Sequence, residues 1–148
     1  MKLKNNNLIL ENQNIHLNDI KMICIIKTGD PFDCKPYYSL EIINKNDSRI
    51  IIDESETQHL LKLLINIKHL GNKITSKGNV NFANLGCVVV NLDYIENIEY
   101  KSNSKSLLLK DQNENINYIG MPSKYAQRVM LKFENQLKQY KESQNKTL

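Results

Sequence analysis

Short apolar stretches, rich in Ile, Val and Leu and bounded by Asn, Asp, Gly or Pro, recur along most of the chain, which is how half-buried strands and their turns read. On that pattern strands are expected at residues 8–10, 15–17, 21–26, 37–43, 50–52, 80–82, 87–92, 95–100, 106–109 and 116–119. Two segments switch to helical spacing. In the first, Leu60, Leu63, Leu64, Ile67 and Leu70 follow the capping-box sequence Ser55-Glu56-Thr57-Gln58 and precede Gly71, so a helix is expected at about 55–70. The second opens at Pro122, carries Tyr125, Val129, Phe133 and Leu137 on one face, and is expected to run to about residue 140. Residues 27–36 hold two prolines and a glycine and read as a long exposed loop, either a binding finger or an insertion. The expected fold class is α+β: mostly antiparallel β strands with two amphipathic helices, one β-rich domain over 1–142 and a flexible polar tail at 143–148.

Ile15, Leu17, Ile20 and Ile23 recur as Val90, Leu92, Ile95 and Ile98 at a constant offset of 75, and each half then runs through strands to a helix. Alternating strands match one another easily, so this is either a true internal repeat or chance convergence.

The 148 residues suit one domain, and 41% apolar with 24% charged residues is the balance of an ordinary folded protein. No apolar run approaches the roughly 18 residues that span a bilayer. Polar Asn5 to Asn7 follow the basic start where a signal peptide would need an apolar region, so a cytoplasmic protein is expected. Cys24, Cys34 and Cys87 make an odd set without a CxxC pair, which points to small apolar side chains rather than disulfides or zinc ligands. No metal or cofactor is expected. Asp53, Glu54 and Glu56 cluster carboxylates, but acids at a helix start are explained by the helix dipole. His16, His59 and His69 have no ligand spacing, and GxGxxG, P-loop, GxSxG and HExxH motifs are absent, so an enzyme is not expected.

Charge is segregated. Residues 1–120 hold 14 basic and 14 acidic side chains, while 121–148 hold six basic residues against Glu134 and Glu142, which accounts for the net +4. Lys124, Arg128 and Lys132 recur every fourth residue and fall on one helical stripe, an arrangement able to grip phosphates and equally common on a solvated helix face.

The order of elements, together with Val90-Asn91, Ile95, Ile98, Leu107 to Leu109 and Ser123-Lys124, resembles the LytTR family, a mostly β DNA-binding domain of bacterial response regulators, over about residues 15–137. In that family a strand ends in V-N, continues through I-x-x-I and an L-x-L strand, and closes with an S-R segment leading into the last helix. The resemblance implies a regulatory protein bound to double-stranded DNA. Lys124, Arg128 and Lys132 would contact phosphates, Ser123 would be a neutral donor, and Asn84 is the amide able to pair with an adenine edge. The family's basic F-x-R-x-H-R-S strand is replaced by Phe82-Ala83-Asn84-Leu85-Gly86-Cys87, which carries no cation, so weak sequence specificity is implied. Asn91 is expected to satisfy backbone groups at the end of a buried strand.

The alternative is a small non-enzymatic protein-binding module, such as a mobile-element or phage inhibitor or accessory protein. Its partner would be a host protein, met through Phe32, Tyr37 and Tyr38. Exposed strand edges leave a homodimer open in either case.

Overall fold

The structure, a computed structural model, describes residues 2–11, 13–28, 37–56 and 60–146. Its elements are β1 (Lys2–Lys4), β2 (Asn7–Ile9), β3 (Asn14–His16), a 3₁₀ turn (Leu17–Asp19), β4 (Ile20–Thr28), β5 (Tyr37–Asn44), β6 (Arg49–Glu56) and α1 (Leu60–Ser76). There follow β7 (Phe82–Asn84), β8 (Val88–Asn91), β9 (Ile95–Lys101), β10 (Ser106–Asp111), β11 (Ile116–Gly120) and α2 (Ser123–Lys146). The strands form three antiparallel sheets, ordered β1-β2-β3, β6-β5-β4-β8-β7 and β11-β10-β9. The fold class is α+β and strand-dominated, and no helix among the described residues is long and apolar enough to cross a membrane.

The central five-stranded sheet is apolar on both faces because successive strand residues point to opposite sides. On β4, Ile23 enters one core with Leu8, Ile15, Leu40, Leu63, Ile67 and Val89, while Met22 and Cys24 enter the other with Val88, Val90, Ile98, Leu107, Val129 and Phe133. Each helix covers one of these cores. Leu63 and Ile67 of α1 are completely buried, each worth about 1.5–3 kcal/mol of hydrophobic stabilisation.

The offset of 75 holds in three dimensions. Hairpin β2-β3 pairs Asn7 with His16, Leu8 with Ile15 and Ile9 with Asn14; hairpin β7-β8 pairs Phe82 with Asn91, Ala83 with Val90 and Asn84 with Val89, the same register moved by 75. The Leu17 N–H donates to the Asn6 carbonyl at 2.9 Å, and that of Leu92 to Asn81 at 2.6 Å. A side chain closes the turn in both halves, with His16 Nδ1 accepting from Asn18 N at 3.1 Å and Asn91 Oδ1 from Asp93 N at 3.0 Å. Even the strand irregularities recur, between Ile20 and Met22 in β4 and at the matching Ile95 to Asn97 of β9. Beyond the hairpin that follows, the offset falls to 67. Asn44 matches Asp111, and Asp47 and Glu114 both adopt left-handed backbones (φ 67° and 65°) in equivalent β5-β6 and β10-β11 turns. The lost eight positions correspond to 29–36, which therefore form an insertion in the first half relative to the second; their conformation lies outside the described residues.

Asn91 does what was expected of it. Completely buried, it donates from Nδ2 to the Ile20 carbonyl at 2.9 Å, tying the end of β8 to the start of β4.

Boundaries moved where pairing overrode local signals. Ser55 and Glu56 are not the start of a helix; they end β6, paired with Tyr38 and Tyr37, so their backbone groups serve the sheet ladder. Residues 57–59 lie outside the described residues. Gly71 does not stop α1, which continues to Ser76. It lies under β7, where an added Cβ would sit 2.5 Å from Asn84 Cγ. The second helix continues past 140, through part of the expected tail, to Lys146. The strand expected at 80–82 is β7, and β1 was not anticipated.

One buried ion-pair cluster joins the halves. Lys21 on β4, 1% exposed, donates to Asp111 Oδ2 at 2.8 Å and pairs closely with Asp47, whose other oxygen accepts from Asn115 Nδ2 at 3.1 Å. Burial pushes the Asp111 carboxyl up, but Lys21 and the N–H groups of Asn115 and Asn113 outweigh it and hold that carboxyl below its usual range.

Candidate nucleic-acid interface

The last helix leaves β11 through Met121 and Pro122. The Tyr100 hydroxyl donates to the Met121 carbonyl at 2.8 Å, and the Pro122 carbonyl accepts from Tyr125 N at 3.1 Å and Ala126 N at 3.3 Å. This fixes the phase of α2. Ala126, Val129 and Phe133 turn into the core, with Met130, Leu137 and Tyr140 beside them. Tyr140 also donates from its hydroxyl to Asp93 in the β8-β9 turn. Burial first, then Asp93, pushes that hydroxyl's pKa up to about 12.

With that face buried, Ser123, Lys124, Arg128 and Lys132 are all exposed. The three cations lie on one flank, drifting by about 40° per step because four residues overshoot a helical turn. Lys124 Nζ stands 5.0 Å from the Tyr125 ring centroid, a cation–π contact worth about 0.5–1 kcal/mol at an exposed site. The ion pairs found among the described residues are those of Lys21, Lys45 and Arg49, and none involves the α2 cations.

Arg128 and Lys132 border two grooves between α2 and α1, separated at the β7-β8 turn. One, about 510 Å³, has Arg128 and Tyr125 on its α2 side, Leu60 and Leu64 on its α1 side, and Leu85 and Cys87 from the turn. The other, about 430 Å³, has Lys132, Gln136 and Gln139 facing Asn72 and Thr75 of α1, with Asn84 from β7. Among the described residues no carboxylate lines either groove. The second sets Lys132 near the amides of Asn72, Gln136 and Gln139, groups able to donate to phosphate oxygens, while the Thr75 hydroxyl already donates to the Gly71 carbonyl at 2.9 Å. Burial raises the Cys87 thiol pKa, with a backbone hydrogen bond and the Lys132 charge drawing it back in part.

Asn84 does come to the same cleft, but its amide is occupied. Nδ2 donates to Asn72 Oδ1 at 2.8 Å and Oδ1 accepts from Gly86 N at 3.1 Å, while the side chain rests on Gly71. The two atoms that would pair with an adenine edge are thus engaged in holding β7 against α1. Of the residues of the protein-binding reading, Tyr38 lines the 510 Å³ groove together with Arg128. Tyr37 contributes backbone to β5, its side chain lies outside the described residues, and so does Phe32 entirely.

Asn72, Gln136 and Gln139 were missed. Sequence spacing puts the two glutamines on α2, but nothing local announces that α1 stands opposite them. Compared with known proteins, the chain matches no protein-family model, no curated protein and no solved structure.

Proposed function

We propose that the protein is a DNA-binding regulatory protein of LytTR-like type, working in the cytoplasm and holding double-stranded DNA through phosphate contacts from α2. One observation carries the reading: Lys124, Arg128 and Lys132 are exposed on one flank, without carboxylate partners among the described residues, beside an amide-lined cleft. Ser123 adds a neutral donor at the helix start. Asn84 is left out of the contact set because its amide is engaged internally, which leaves affinity dominated by phosphates and specificity weak. Duplex binding is expected to weaken steeply with salt, and the log–log slope to fall by about one unit per cation removed in single, double and triple Lys124→Ala, Arg128→Ala and Lys132→Ala variants. A triple variant that binds mixed duplex as well as the unsubstituted chain overturns the assignment.

A second reading, a protein-binding module directed at a host protein, is favoured by the exposed apolar side chains Leu61 (68% exposed) and Ile65 on α1, and by Tyr125 on α2, which lines one groove with Tyr38. Gel shifts at low salt set beside capture of partners from a host lysate separate the two.

A further inference from the structure

We propose that the 510 Å³ groove between α1 and α2 binds a small amphipathic monocarboxylate, its apolar body against Ile25, Leu64, Leu85 and Ile119 and its carboxylate on Arg128. The groove's size falls within the roughly 300–1,000 Å³ of small-molecule sites, which pair apolar walls with a few polar groups that fix orientation. Its polar side chains are few: Tyr38, Tyr125 and Arg128, the last bearing the only full charge among the described lining residues. The planar fork of a guanidinium matches a carboxylate in a two-point contact, and one fork suits one negative charge. Cys87, half-buried with its thiol pKa raised by that burial, serves as apolar wall and stays protonated at neutral pH. This site does not depend on DNA binding.

Titration calorimetry with decanoate and with decan-1-ol, its uncharged counterpart, tests the proposal. Decanoate is expected to bind saturably at one site, and Arg128→Gln to weaken it by about tenfold, the contribution of a charge-assisted contact, while leaving decanol unchanged. Leu64 supplies the blocking variant. It is half-buried on α1 and lines the groove, so Leu64→Trp narrows the space from the α1 wall and is expected to abolish binding of both probes, with an unchanged circular dichroism spectrum showing that the fold is kept. Absence of saturable decanoate binding overturns the site, as does retention of binding in a folded Leu64→Trp. Unchanged decanoate affinity in Arg128→Gln, whose exposed position makes folding safe, overturns the assignment of the anionic end.

Discussion

On the back of the first-half meander, β4 and β5 present Met22, Cys24, Ile26 and Ile43; at the matching places in the second half stand Asn97, Glu99, Lys101 and Lys110. The first set is covered by the second half's hairpin, helix and sheet; in the second set Asn97, Glu99 and Lys101 are exposed and Lys110 is half-buried. Hairpins show the reverse. Phe82 and Val89 of β7 and β8 are buried in the first half's core, and their counterparts in β2 and β3 are Asn7 and Asn14. The inward positions meanwhile stay apolar in both: Leu10 and Leu85, Ile15 and Val90, Leu17 and Leu92, Ile20 and Ile95, Ile23 and Ile98. Two copies of one plan therefore differ where each is or is not covered by the other. The difference shows which residues specify the unit and which specify that the stack ends, as polar outer faces do in repeat proteins.

The buried cluster gives the largest expected break in this comparison. Lys21→Met strands Asp111 as a buried charge and is expected to cost about 3–5 kcal/mol in urea denaturation, whereas Glu96→Met, at the exposed matching position, should stay within about 0.5 kcal/mol. Equal losses would refute the asymmetry. Because the folded Asp111 carboxyl is held below 3.8, its contribution is present above that value and disappears as pH falls through the folded pKa; Lys21→Met should flatten this acid limb.

A smaller effect separates two glycines. Gly71→Ala drives a Cβ into Asn84 and should cost about 1–3 kcal/mol, partly recovered by adding Asn84→Ala, while Gly120→Ala in the second half meets nothing and should be neutral. Full stability in Gly71→Ala would show that β7 and α1 are less closely held than their contact implies. The smallest effect concerns the tie from Tyr140 to Asp93. The folded hydroxyl pKa, pushed above the ordinary 10 to about 12, makes this contribution complete below pH 10 and lost as pH climbs toward 12. Tyr140→Phe should erase that alkaline decline in thermal melts, and an unaltered decline would assign it elsewhere.

Much of the fold could be read from the chain because the inward residues are continuous in sequence: Ile15, Leu17, Ile20 and Ile23 announce the same hairpin, turn and strand as Val90, Leu92, Ile95 and Ile98. What escaped depended on partners far away. Strand β1 offers only Leu3 between two lysines and becomes legible through its pairing with β2. Ser55 carries a capping signature, yet β5 claims its backbone. Of the candidate site, the exposure of Lys124, Arg128 and Lys132 followed from helical periodicity, since Ala126, Val129 and Phe133 fix the buried face. That Asn84 would be clasped by Asn72 and seated on Gly71 did not, because no local rule brings residues twelve or more positions apart into one contact.

The pairing of β4 with β8 also governs how this chain must mature. A ribosome that has delivered only the first half has made an open strand edge and a greasy reverse side, with Met22, Cys24 and Ile43 awaiting material not yet translated. Those surfaces close when β8 docks and the later strands arrive, so the leading half spends its synthesis time vulnerable to sticking, and the trailing half acts as its shield.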